Sequence, residues 1–258
     1  MGRFTKLEID DDKLGKKKPE EVIAEPAYDQ EHYINSGHSF FYTGDYESAL
    51  RLYSRALALD KTRIEPYLFQ IEALIALKQF KEADLWCTNA LKVFPDNPDL
   101  IALKSLAIAR TGSIKRAIYN SDFSMVKGSL VYAWLTRGEI LLLQRNNNAH
   151  FCLEKAISTN SNDWHTIFKV AHVYVRTKNY TRAIPHLRKC IEMELTNHYI
   201  WYLIAFCYYH LAMYTKMDEA LKKSLELQPN FKPAADLIIK YRNTPFIIKL
   251  VKKALNKS

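Results

Sequence analysis

The chain has 258 residues, 48% of them apolar, and a formal charge of +9. That is enough material for one large domain, two small ones or an array of repeats. Only seven glycines occur, which excludes glycine-rich phosphate loops and turn-dense all-β folds. The sequence has no run of apolar residues long enough to span a membrane.

Residues 1–29 carry six basic and eight acidic residues, few aromatics and no periodicity, so a mostly disordered, charged N-terminal segment is expected. They lack the apolar stretch of a secretory signal. The cysteines, Cys87, Cys152, Cys190 and Cys207, have no CxxC spacing and read as reduced thiols, with Cys87, Cys190 and Cys207 at packing positions. A cytoplasmic location is expected.

Beyond residue 29 the chain repeats itself. In GDYESALRLYSRALALD, Gly44 ends one apolar stripe, Asp45 can cap the next helix, and Tyr46, Ala49, Tyr53, Ala56 and Leu57 fall on one helix face. The small residue of that face recurs at Ala83, Ala117, Ala149 and Ala183, with Met217 in the sixth slot. The steps are 34, 34, 32, 34 and 34. A second small residue follows seven positions later, at Ala56, Ala90, Ser124, Ala156, Cys190 and Ser224. A bulky one precedes it, at Tyr33, Tyr67, Ile101, Trp134, Ile167 and Trp201.

This pattern resembles the tetratricopeptide repeat family, whose unit is a 34-residue helix–turn–helix. The likeness covers about residues 30–231, in six units: 30–63, 64–97, 98–130, 131–163, 164–197 and 198–231. It implies an all-α fold, a right-handed superhelical solenoid, with residues 232–258 as a capping helix and a basic amphipathic helix. Three local departures are expected. Ser121 and Ser124 predict a short or irregular second helix in the third unit. A shortened loop at residues 144–150 accounts for the 32-residue step. Pro185 sits near the first turn of its helix, where proline is tolerated.

No catalytic motif occurs, so no enzyme and no cofactor are expected. His165 and His172 share a helix face, but no further ligands accompany them, and no metal site is expected. The resemblance implies a concave groove lined by the first helix of each unit. Its slots hold His38, Phe41, Tyr42, Phe69, Glu72, Arg110, Tyr132, Glu139, Phe168, Lys169, His172, Arg176, Tyr199, Tyr202, Phe206, Tyr209 and His210. The carboxylate clamp that some family members use on chaperone tails is absent from these slots. Two readings stay open. The aromatics anchor a protein or peptide segment, or the superhelix closes tightly and they pack between repeats or against the C-terminal helices.

The expected function is a non-catalytic protein-interaction scaffold or adaptor, part of a multiprotein assembly or self-associating through its end repeats. The alternative is a peripheral adaptor that meets a membrane surface through Lys249, Lys252 and Lys253 of the basic C-terminal helix. Nucleic-acid binding is disfavoured, because acidic residues stand beside the basic ones throughout the repeats.

Overall fold

A computed structural model describes residues 28–128, 131–245 and 247–249. The expected disorder of the N-terminal segment and most of the C-terminal basic helix, Lys252 and Lys253 included, lie outside the described residues. Among the described residues the chain forms thirteen helices and no strand. They are α1 (Gln30–Tyr42), α2 (Tyr46–Leu59), α3 (Glu65–Ala76), α4 (Phe80–Val93), α5 (Pro98–Arg110), α6 (Ile114–Val126) and α7 (Val131–Leu143). Then come α8 (Asn148–Thr159), α9 (Trp164–Arg176), α10 (Tyr180–Met193), α11 (His198–His210), α12 (Tyr214–Leu227) and α13 (Lys232–Asn243).

Consecutive helices pair as antiparallel hairpins, and each pair stacks on the next to give a right-handed solenoid of about six repeats. The small residues of the repeat sit where helices touch: Ala49, Ala56, Ala83, Ala90, Ala117, Ala149, Ala156 and Ala183 have no exposed surface. A larger side chain there would push the paired helices apart. All four cysteines are buried free thiols in the same contacts.

The turn between paired helices needs a left-handed residue. Gly44 supplies it with φ 83°, followed by Asp45, whose carboxylate accepts from the Ser48 amide at 3.0 Å and caps α2. Lys78, Arg145, Lys178 and Ala212 hold the same conformation at their turns without the freedom of glycine. Gly44 has a second reason: a Cβ there would lie 2.5 Å from the Tyr199 ring.

The three local expectations need correction. Helix α6 is full and regular at 13 residues, because its serines are accommodated rather than disruptive. Ser121 and Ser124 are fully buried, and the Ser124 hydroxyl donates to the Ser121 carbonyl at 2.9 Å. The connection between α7 and α8 is not shortened; α8 itself has 12 residues where α2, α4, α10 and α12 have 14. Pro185 lies in the second turn of α10, past the positions whose amides are spare, yet the helix runs on for 14 residues. At the C-terminal end α13 buries Ala234 and Leu237 against α11 and α12, with the Tyr241 ring tilted against that of Tyr214 at 4.9 Å.

Candidate functional site

The first helix of each pair faces inward, and the superhelix is tight enough for its first turn to reach its last. The α1–α2 corner meets α9 and α11, more than a hundred residues downstream. The Asn197 side-chain amide donates to the Tyr42 carbonyl at 3.0 Å, while its Oδ1 caps α11. The Tyr42 ring lies 5.0 Å from Trp164 and 4.4 Å from His165.

Behind that corner sits His172. Arg176, which has only protons to give, donates to Nδ1 at 3.0 Å, so the imidazole proton is on Nε2. Nε2 lies 3.0 Å from the Tyr46 hydroxyl and 3.2 Å from that of Tyr199, and the two hydroxyls are 3.3 Å apart. Burial, reinforced by the Arg176 charge, lowers the His172 pKa to about 3 and keeps the ring neutral.

Two ion-pair clusters fill the middle of the tube. Glu139, with no exposed surface, is held by Arg110, whose Nε donates at 3.1 Å, and by Arg176, whose Nη2 donates at 2.6 Å. Burial alone would raise the Glu139 pKa; the Arg176 and Arg110 charges outweigh it and hold the carboxyl below its ordinary value. A turn away, Lys169 donates to Glu72 at 2.6 Å and to the Tyr132 hydroxyl at 2.8 Å, and Tyr132 donates to Glu72 at 2.8 Å. The Lys169 ammonium also lies 4.6 Å from the Phe69 ring centre and 4.5 Å from that of Tyr132.

Nearer the N-terminal end, His38 accepts from the Tyr53 hydroxyl at 2.9 Å and donates to Glu65 at 3.0 Å. Burial lowers its pKa against the opposing pull of Glu65. The void left among Phe41, Tyr46, Glu72, Tyr132, Phe168 and His172 is about 30 Å³, room for a water or two.

The inward slots read from the sequence therefore divide. Phe41, Tyr42, Glu139, Phe168, His172, Tyr199 and Tyr209 are buried. His38, Phe69, Glu72, Arg110, Tyr132, Lys169 and Arg176 are half-buried and bonded to one another or to their neighbours. In this stretch the acidic and basic side chains neutralise each other within the chain.

Tyr202, Phe206 and His210, on the last inward helix, keep part of their surface exposed. Their rings run as a ladder: Tyr202 to Phe206 is 6.2 Å and Phe206 to His210 is 4.5 Å. Tyr180 stacks on His210 at 4.6 Å, and Phe231 abuts Tyr202 at 5.4 Å. Lys249 places its ammonium 4.0 Å from the centre of the Tyr241 ring. Among the described residues no group of three or more metal-ligating side chains exists, and no helix is long and apolar enough to cross a membrane.

Sequence reasoning missed Tyr46, Trp164 and Asn197 as parts of this interior. Tyr46 carried a signal only as a packing residue of its own helix face, and nothing local marks Asn197 as a bond to the far end.

Two family models match the chain. One, described as "Tetratricopeptide repeat", covers residues 40–107. The other, "Anaphase-promoting complex, cyclosome, subunit 3", covers residues 143–224. No curated protein matches. Among solved structures, an IFIT1 monomeric mutant with m7Gppp-AAAA is 16% identical, covering 77% of this chain and 50% of that one, with a TM-score of 0.54. The human IFIT1 dimer with PPP-AAAA is 17% identical over the same shares, with a TM-score of 0.52. The chain thus spans about half the length of these neighbours. A thermophilic TPR protein of Thermus thermophilus is 17% identical, covering 83% of this chain and 97% of that one, with a TM-score of 0.47. Repeat spacing, paired helices stacked through small residues and both family models lead to one assignment: the chain belongs to the tetratricopeptide repeat family.

Proposed function

We propose that the protein is a non-catalytic interaction scaffold that holds a segment of a protein partner along the C-terminal part of its concave face. One observation carries this: on the last inward helix Tyr202, Phe206 and His210 form a ladder of aromatic rings that stays partly exposed. Partly exposed aromatic rings already packed in tilted and edge-to-face contact are anchoring groups that lose little conformational freedom on binding. Membership of a family of helical repeats, and the match to a model named for a subunit of a multiprotein complex, support a role in assembly.

The neighbours whose titles include capped or triphosphorylated oligonucleotides share the fold, and that ligand is said of them alone. No specific observation favours membrane docking: Lys249 rests on Tyr241, and Lys252 and Lys253 lie outside the described residues.

The test is affinity purification of the tagged chain under mild lysis beside the Tyr202→Ala, Phe206→Ala double variant, read by mass spectrometry. A partner recovered only with the unmutated ladder supports the proposal. The same partners recovered with both proteins, at equal helicity by circular dichroism, sinks it.

A further inference from the structure

Helix α6 exposes three large apolar side chains on one face, more than any other described second helix. Tyr119 is 72% exposed, Phe123 38% and Val126 85%. They stand at i, i+4 and i+7, one above another on the outer side of the helix. In the slots of Phe123 and Val126 the other second helices carry Arg55 and Ala58, Asn89 and Lys92, Lys155 and Ser158, Lys189 and Glu192, and Lys223 and Glu226. At the Tyr119 slot α4 and α8 also expose a large apolar side chain, Leu85 at 53% and Phe151 at 59%, but at the Phe123 and Val126 slots only the third repeat is bulky and apolar. Burying serines on the inner side explains how α6 packs; it does not explain bulky apolar groups on the outer side.

The charges around the stripe are one-sided. Lys115 and Arg116 lie one turn before Tyr119 on the same face, exposed, and pair with nothing among the described residues. At the other end the Lys127 ammonium lies 5.3 Å from the Phe123 ring centre and 3.2 Å from Asp96. The one acidic residue of the helix, Asp122, sits at the edge and is held by Arg137. A second copy of the chain laid antiparallel on this face would bring the Lys115–Arg116 end against a Lys127 end, like charge on like.

We propose that this face of α6 is a second docking surface, whose occupant is an acidic amphipathic helix from another protein. Its apolar stripe would cover Tyr119, Phe123 and Val126, and its carboxylates would meet Lys115 and Arg116. The surface is separate from the aromatic ladder and stands or falls independently of it.

Two labelled peptides of about four helical turns test it. Both carry leucine at i, i+3, i+4 and i+7; one has glutamate on the remaining face and the other lysine. Binding to the full chain is followed by fluorescence anisotropy. The glutamate peptide is expected to bind at least about tenfold more tightly than the lysine peptide at low salt, with the gap narrowing as salt is added. Tyr119→Gln, Phe123→Gln, Val126→Gln should weaken it by about tenfold or more. Lys115→Glu with Arg116→Glu should invert the preference, and Tyr202→Ala with Phe206→Ala should leave it unchanged. The charge-reversal pair carries the test if the triple variant loses helicity. Equal binding of both peptides, a preference that survives charge reversal, or no binding would overturn the proposal. So would a monomer–dimer equilibrium in sedimentation that the triple variant abolishes, since a second copy would then cover the face.

Discussion

Replacing Glu139 by Gln removes one charge and almost no volume from the middle of the tube. The carboxylate is fully buried, and the side chains of Arg110 and Arg176 that converge on it are 16% and 25% exposed. The neutral amide keeps one acceptor oxygen, but turns two protons toward guanidinium groups that have only protons to offer. The donor now opposite Arg176 replaces an acceptor that sat at 2.6 Å. Breaking a buried ion pair from one side costs about 3–5 kcal/mol, because the charge left behind stays desolvated. The residual exposure of the arginines puts this case toward the lower end, about 3 kcal/mol. Urea unfolding followed by circular dichroism measures it as a fall in midpoint at constant slope. The deficit should shrink as pH falls through the depressed pKa of Glu139, where the unmutated chain loses the same charge. A loss below about 1 kcal/mol, or a deficit independent of acid, would refute the placement of two guanidiniums on one buried carboxylate.

Gly44→Ala should cost about 2–4 kcal/mol, from the left-handed backbone and from displacing the Tyr199 ring. Under the same urea assay, Gly112→Ala should show only the backbone part, because a Cβ there meets nothing within 4 Å. Acid should also open the corner. His172 is neutral in the folded chain, with a pKa of about 3 against an ordinary 6.5, so the unfolded chain binds the extra proton between those values and stability falls as pH drops through them. At about pH 5 this contributes about 2 kcal/mol of destabilisation, or roughly 4–8 °C in Tm by scanning calorimetry. A His172→Gln chain should lack that part of the slope.

How much of this the sequence disclosed depends on the range of each interaction. The paired helices, the left-handed turn at Gly44, the Asp45 cap and the small residues at the stacking positions follow from spacing within a repeat, and all were legible. The closure was not. Tyr46 meets His172 across 126 residues and Tyr42 meets Asn197 across 155. Slot position says that a side chain points inward, but the superhelical curvature decides whether anything stands opposite. For the same reason nothing within a repeat shows that Lys169 and Glu72, 97 residues apart, are each other's counter-ions. The serines of α6 misled differently: their preference for caps and turns predicts a broken helix, whereas tertiary contact holds them inside a regular one.

A stacked array of repeats is held only by neighbours, so it can fray from either end one unit at a time. The corner formed by Tyr42, Gly44, Tyr46, His172, Asn197 and Tyr199 changes that behaviour. It fastens the first hairpin to the last two, so that releasing either end forfeits contacts belonging to both. The array becomes a closed circuit rather than a row. Its backbone amides in α1 and α2 should then exchange with solvent through whole-molecule opening, and closing the circuit, with its long intervening chain, should be a late event in folding.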